Sequence, residues 1–282
     1  MGMIDIIATW TAVVGFGLAS LHDIKTREVP DLLSYGLIAL GVFYQFERAI
    51  IQGAVNEAAI SILFGAGAFV FGYTMYRLKQ WGGADTKLLV ALGLLLGMNA
   101  GIPLFILFFI NFLWVGAVYG LVTTLLIMIL KRKTYVAQVK KDYQKYKRSI
   151  GLSLAVILSS VVFWIILRDI VFAGVLCFIG TLWLMSILLR SANVLMIKHI
   201  TLDALTEGDW VIDKVKREKN ILYDPKKSVA VTLKDIKTMK DAGITHVRIM
   251  EGVPFVPSFF IALLVTLVNP YATLFVLTQL VV

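Results

Sequence analysis

The sequence predicts an all-α polytopic membrane protein of about eight transmembrane helices, with a small α+β cytosolic module before the last helix. Three observations carry this reading. The 282-residue chain is 59% apolar, with a mean hydropathy of +0.84. It contains several apolar runs of about 17 residues or more, the length that crosses a bilayer. Of its 27 Lys and Arg, only Arg48 and Arg168 fall outside one alternating set of loops and helix ends, the asymmetry that marks a cytoplasmic side.

Taken in order, the spans are about 4–21, 32–51, 58–77, 86–101, 103–130, 150–167, 170–189 and 255–281. The fourth is short and glycine-rich, and the fifth is long enough to tilt. The seam Asn99–Pro103 between them reads as a turn by composition. With the N-terminus outside, the inside segments are 22–31, 78–85, 131–149 and 190–254, which hold nearly all the basic residues. The domain division expected is a membrane domain over 1–190, a cytosolic module over 191–254 and a C-terminal transmembrane helix over 255–282. Met1–Asp5 lacks a basic n-region, so the first apolar run reads as a membrane helix and not a removable signal peptide.

Composition excludes several classes. The single cysteine, Cys177, lies in an apolar run and permits neither an intrachain disulfide framework nor a Cys-based zinc site. His22, His199 and His246 show no metal-site spacing, so no metal and no cofactor are expected. The net charge of +9 reads as inner-loop charge, and no nucleic-acid partner is expected.

Two inside segments stand out. Residues 131–149 hold eight basic residues and one acid. They read as a solvated juxtamembrane helix or as a surface attracting anionic lipid, at about 1 kcal/mol per basic residue. Tyr135, Tyr143 and Tyr146 suit either as interfacial anchors. In the module, Asp209–Val215 alternates like a strand, Thr232–Asp235 resembles a capping box opening a helix that stops at Gly243, and Thr245–Met250 reads as a second strand. About 60 residues is marginal for an independent fold, so the module is expected to lean on the membrane domain.

Two aspartates carry the chemistry. Asp23 opens Asp-Ile-Lys-Thr-Arg-Glu-Val-Pro-Asp (23–31), and Asp85 closes Gly82-Gly83-Ala84-Asp85, ahead of Lys87. Both fall at inner ends of predicted spans. An ionisable group costs about 2.5–3.5 kcal/mol near the bilayer centre, which makes it a functional candidate. Two carboxylates near each other share a proton, the arrangement of an aspartic protease. Structural readings stand beside this one: Asp85 as an N-cap, Gly82, Gly83 and Ala84 as a turn, Asp31 after Pro30 as an N-cap, and Asp23 paired with Lys25 or Arg27. Trp81 reads as an interfacial anchor. Lys25 and Lys87 each follow an aspartate by two residues, where an ammonium favours the carboxylate, or else serve topology.

Asp23 with Lys25 and Val29-Pro30, then Gly82-Gly83-Ala84-Asp85 with Lys87, resembles the prepilin peptidase family of membrane aspartic proteases. The similarity is to its archaeal branch, the preflagellin and type IV prepilin peptidases of GxGD type. Glu251-Gly-Val-Pro-Phe-Val-Pro257 resembles a C-terminal segment of longer archaeal members; its Pro254–Pro257 entry reads either as packed near the dyad or as a plain helix start. The resemblance implies Asp23 and Asp85 as catalytic residues, supported by Gly82, Gly83, Ala84, Lys25, Lys87 and Pro30, with Asp31 and Glu28 as possible substrate-binding acids. It implies cleavage of the prepilin-like (class III) signal peptide of pilin or archaellin precursors, just before their hydrophobic segment. The expected location is the cytoplasmic membrane, multi-pass, with the site facing the cytosol. Asp31 stands where many members have Asn, and Ala84 replaces the second glycine of the general motif. N-methyltransferase activity is not implied. Two other classes stay open on the residues alone: a proton-coupled transporter, which places acids near the midplane in repeated halves, and a non-enzymatic pilus or archaellum assembly protein. Oligomeric state is not readable.

Overall fold

The computed structural model describes residues 3–99, 101–217 and 220–281. Met1, Gly2, Ala100 and Val282, which fall within the N-terminal, seam and last-span expectations, lie outside them. The helices are α1 (Met3–Thr26), α2 (Asp31–Ile51), α3 (Val55–Arg77), α4 (Gly83–Leu95), α5 (Leu104–Leu130), α6 (Arg132–Leu167), α7 (Ile170–Asn193), α8 (Leu233–Asp241), α9 (Val256–Val268) and α10 (Ala272–Val281). The strands are β1 (Met98–Asn99), β2 (Ile102–Pro103), β3 (Ile197–Thr201), β4 (Trp210–Val211), β5 (Val215–Arg217), β6 (Asn220–Tyr223) and β7 (His246–Met250). Among the described residues, five helices are long and apolar enough to cross a membrane: Asp5–Thr26, Val55–Arg77, Leu104–Leu130, Arg132–Ile166 and Phe172–Met196. The chain is a multi-pass membrane protein with a small sheet region near its C-terminus.

Three expected spans differ from the structure: α2, expected over 32–51, carries Gln45, Glu47 and Arg48 and falls outside the five apolar helices, and the other two are α4 and the last stretch. α4 has 13 residues, about 20 Å at 1.5 Å per residue and short of a hydrocarbon layer of about 30 Å. It is an inner helix, not a span. The last apolar stretch, expected as one helix over 255–281, divides into α9 and α10. Pro270 has no N–H to continue the ladder, and Asn269 leaves helical backbone at φ −144°. The seam after α4 is a tight antiparallel pair, with Met98 opposite Pro103 and Asn99 opposite Ile102. Gly101 in this turn has φ +83°, a conformation open to glycine at little cost.

The chain forms two compact units, Met1–Leu121 with Ile200–Val282, and Val122–His199. The module expected at 191–254 therefore belongs for most of its length with the N-terminal helices. In the first unit, α4 is buried on nearly all sides: Leu88, Leu89, Ala91, Leu92 and Leu95 have no exposed surface, as an apolar helix without a polar face requires. α3 approaches it through small residues, because a Cβ on Gly93 would lie 2.8 Å from the Gly65 nitrogen. α1 turns Ala8, Ala12, Phe16 and Ala19 inward, in the core shared with Phe259 and Leu263 of α9. The helix ends opposite Asp23 close on Arg48, 1% exposed, which bonds Asp5, the Gln45 side chain (2.9 Å) and Ser61 (3.4 Å). Gln45 in turn donates to the Leu94 carbonyl. Arg48, an exception to the inner-side charge bias, is thus a bundle-interior charge with its partner in place.

The module packs Leu202, Val211, Tyr223, Val231, Met239, Val247 and Ile249 between α8 and a sheet of order β3-β7-β4, with a separate β5–β6 pair. The predicted capping box holds: Asp235 N–H donates to Thr232 Oγ1 (3.2 Å) and Thr232 N–H to Asp235 Oδ2 (3.0 Å), and the chain turns at Gly243 with φ +74°. The expected strand Asp209–Val215 is divided between β4 and β5. Lys79, after α3, donates to the carbonyls of Pro225 (2.5 Å) and Ser228 (3.0 Å), tying the module to the helices of its unit.

The second unit is the end of α5 followed by the α6–α7 pair. The expected juxtamembrane helix and sixth span are one continuous helix, α6, of 36 residues, about 54 Å long. Asp169 caps α7 by accepting from Phe172 N–H at 2.9 Å, and Gly180 lies against Ile157 and Ser153. Ser191 donates to Asp142 at 2.7 Å. Arg132, Lys133, Lys140, Lys141, Lys145, Lys147 and Arg148 are all exposed.

Candidate active site

The segment 23–31 assigns each residue a direction. Asp23, in the last turn of α1, points inward and is 6% exposed, while Lys25 is exposed. The helix ends through Arg27 at φ +60°, whose N–H bonds the Asp23 carbonyl at 2.9 Å, a left-handed termination. Val29 is buried in the core and Pro30 leads into α2. Arg27 turns back across a distant part of the chain: its guanidinium donates to the Gly252 carbonyl at 2.6 Å and lies 3.6 Å from the Glu251 carboxylate. The strap Glu251–Phe255 connects β7 to α9, and Tyr119 of α5 donates to its Pro254 carbonyl at 2.8 Å. Directly after the strap, Val256 N–H donates to Asp23 Oδ2 at 2.9 Å. The Pro254–Pro257 entry is therefore both a helix start and a wall of the site.

Asp85 stands at the third position of α4. The expected N-cap is corrected: Gly82 is the N-cap, and its N–H donates back to Asp85 Oδ2 at 2.9 Å. An acid suits the first turn, where N–H groups lack helical partners. Gly82 has φ −73°, which any residue adopts, and a Cβ on Gly83 would meet nothing within 4 Å. A Cβ on Gly82 would touch Asp85 Oδ2 at 3.4 Å, so open space lies at Gly83, and neither glycine supplies an unusual backbone. Ala84 packs onto the core. Beneath lies an aromatic floor: Trp81 is 5.7 Å from Phe259, 5.8 Å from Phe112 and 6.1 Å from Phe255, centroid to centroid. Trp81, expected as an interfacial anchor, is a packing residue because α9 and α5 bring their rings to it.

The two aspartates lie on helices that pack on each other, α1 and α4, and the Asp23 charge reaches Asp85. Burial pushes the Asp85 carboxyl up to about 7; the Gly82 N–H opposes the rise and the Asp23 charge adds to it. The outlying residues are otherwise engaged. Asp31 is not an N-cap, a role held by Pro30 without a side-chain bond; it pairs with Lys87 at 2.5 Å, and Lys87 also lies 4.4 Å above the Tyr35 ring. Glu28 accepts from Thr206 at 2.8 Å. It belongs to an acidic group with Asp209 and Glu251. Burial raises the Asp209 carboxyl, the Thr206 hydrogen bonds oppose this, and the Glu28 and Glu251 charges add to it. Among the described residues, no three His, Cys, Asp or Glu gather as a metal site.

The sequence offered Arg27 only as a charge partner of Asp23 and missed its bond to the strap at Gly252; it missed Tyr119, one polar hydroxyl in an apolar α5.

Comparison with known proteins finds similarity over the stretch that holds both aspartates. Residues 10–130 match the type IV leader peptidase family. The prepilin peptidase EppA of Methanothermobacter thermautotrophicus is 25% identical over 183 residues, 59% of this chain and 47% of that protein. Preflagellin peptidases of Methanococcus voltae and Methanocaldococcus jannaschii are 31% and 30% identical over 90 and 83 residues, 32% and 29% of this chain. Those two alignments cover 38% and 35% of the relatives, so the chain spans about half or less of the curated proteins it matches. No solved structure matches. Over the stretch that carries both aspartate motifs, residues 10–130, the chain is similar to the type IV leader peptidase family and to its archaeal prepilin and preflagellin peptidases.

Proposed function

We propose that this protein is a membrane aspartic endopeptidase that removes the prepilin-like (class III) leader of archaeal pilin or archaellin precursors at the cytosolic face of the cell membrane. The observation that carries the reading is the placement of Asp23 and Asp85 on two packed helices, each carboxylate accepting a backbone N–H, with the Asp23 charge acting on Asp85. Hydrolysis by such a pair needs one carboxylate and one carboxylic acid. The carboxylate takes a proton from water as the water oxygen bonds the scissile carbon, and the acid protonates the carbonyl oxygen. The first group then returns its proton to the leaving amine as the C–N bond breaks, and the reforming carbonyl reprotonates the second. The open side at Gly83 suits an extended peptide. The Lys and Arg distribution supports an outside N-terminus and an inward-facing site. A precursor helix would remain in the bilayer while its basic head reaches the cytosol, where Glu28 and Asp31 stand as candidates to read it. The exposed basic face of α6 fits anionic headgroups.

The test is processing of an archaeal precursor by membranes carrying wild type, Asp23→Asn, Asp85→Asn or Asp31→Asn. Loss in the first two alone is expected. Full processing by either of them would remove the protease assignment and favour a transport or assembly role.

A further inference from the structure

We infer that the strap Glu251–Phe255 and the start of α9 belong to the catalytic apparatus: the Val256 N–H and Arg27 hold Asp23 as the carboxylate, so Asp23 takes the proton from water and Asp85 gives its proton to the scissile carbonyl. The inference rests on the peptidase reading above. It extends the working site beyond residues 10–130 into a part of the chain more than two hundred residues away in sequence.

The geometry supplies the reason. Asp23 sits at the C-terminal end of α1, where the helix presents partial negative charge and disfavours an anion. Something must offset that. The first N–H groups of a helix have no partners within it, and in α9 their fates are fixed one by one. Pro257 has no N–H, Ser258 N–H bonds the Phe255 carbonyl at 3.0 Å, and Val256 N–H bonds Asp23 at 2.9 Å. The donor end of a 13-residue helix is thus directed at this carboxylate. A second device holds it in place. Arg27 bonds Gly252 and pairs with Glu251, and its charge acts on Asp23. Tyr119 grips Pro254 from the other side. The charged or titratable groups that bear on Asp23 are Arg27 from α1, Asp85 from α4 and Tyr119 from α5. α2 contributes Asp31, already paired with Lys87, and the strap contributes Glu251, paired with Arg27. Among the described residues, Asp85 receives the Gly82 N–H, and the Asp23 charge disfavours its ionisation. Arg27 and Val256 are positioning residues, because each acts through Asp23.

The test is the pH dependence of kcat/KM for precursor cleavage by full-length protein in detergent or vesicles. In one variant, residue 256 is replaced by the α-hydroxy analogue of valine, which puts an ester oxygen in place of the N–H and keeps the side chain. In the others, Arg27→Gln removes the cation and Arg27→Lys keeps it. Removing a stabiliser of the carboxylate raises its proton affinity, so the acid limb should move up by about one pH unit in the ester and Arg27→Gln proteins. Activity should return at higher pH, and Arg27→Lys should lie close to wild type. A wild-type acid limb in both, or a loss at every pH that Arg27→Lys does not restore, overturns the inference. Asp23→Asn and Asp85→Asn run in the same assay keep the two ideas apart. If both are inactive while the ester protein keeps the wild-type profile, the dyad stands and the role of α9 falls. If either Asn variant is fully active, the peptidase reading itself falls.

Discussion

The two ends of the helix bundle in the first unit use buried charge in opposite ways. At the Asp5 end, Asp5 of α1 meets Arg48 of α2, and Gln45, Ser61 and the Leu94 carbonyl complete the set. Opposite charges are brought together and the end is closed. At the other end, the same α1 and the start of α4 bring two carboxyl groups, Asp23 and Asp85, into each other's field, held by backbone N–H groups of Val256 and Gly82. A buried pair of opposite sign is a staple; two neighbouring carboxyls resist ionising together, the arrangement on which the proposed peptidase reading rests. The comparison teaches that burial of charge alone does not mark a site, and that the sign and partners of the neighbours do.

That contrast can be broken or sharpened by measurement. The largest effect is expected from Asp23→Asn or Asp85→Asn, which should lower precursor processing by about a hundredfold or more while folded protein remains in the membrane; quantitative processing assays with a folding control decide this. Next, Arg48→Met should leave Asp5 without its cation and destabilise the bundle by about 3 kcal/mol, read as earlier thermal unfolding in detergent. Processing at a permissive temperature should survive, and its loss would mean that the Asp5 end is not merely a staple.

A moderate effect is expected from pH. The Asp85 carboxyl is raised from an ordinary 3.8 to about 7 in the folded protein, so the fold binds more protons than the unfolded chain across that window. Stability should therefore be greatest on the acid side of this group and fall as pH rises from about 4 towards 7. Asp85→Asn should flatten that part of the curve, and activity needing protonated Asp85 should decline above about 7. Unfolding temperatures at a series of pH values for the two proteins check the sign. The smallest effect on the fold is expected from Gly83→Val, because nothing lies within 4 Å of the added Cβ. Stability should change by less than about 1 kcal/mol, while KM for the precursor rises if the space serves the peptide. Unchanged KM would return the glycine to a plain surface role.

Much of this was legible from residue order. Apolar runs announced α1, α3, α5 and α7, and the Thr232–Asp235 pattern announced α8. The two aspartate motifs announced the candidate site, because their composition is local to a few residues. Other features were not legible. α4 looked like a short span because its composition is apolar, and only its neighbours on every side make it an inner helix. Asp31 looked like an N-cap, but Lys87 of α4 reaches it from 56 residues away. Trp81 looked interfacial until Phe112, Phe255 and Phe259 surrounded it.

By itself the sequence determined the apolar, multi-pass character of the chain, the segments in which its basic residues gather, and the two acids proposed to carry function. Hydropathy and charge are properties of residues and their near neighbours, so they can be read along the chain. Only the tertiary structure decided that the helices of Asp23 and Asp85 pack together, that Arg48 is neutralised by Asp5, and that a helix beginning at Val256 presents its N–H to Asp23. Those outcomes depend on contacts between distant segments, where close packing sets which donors and charges face one another.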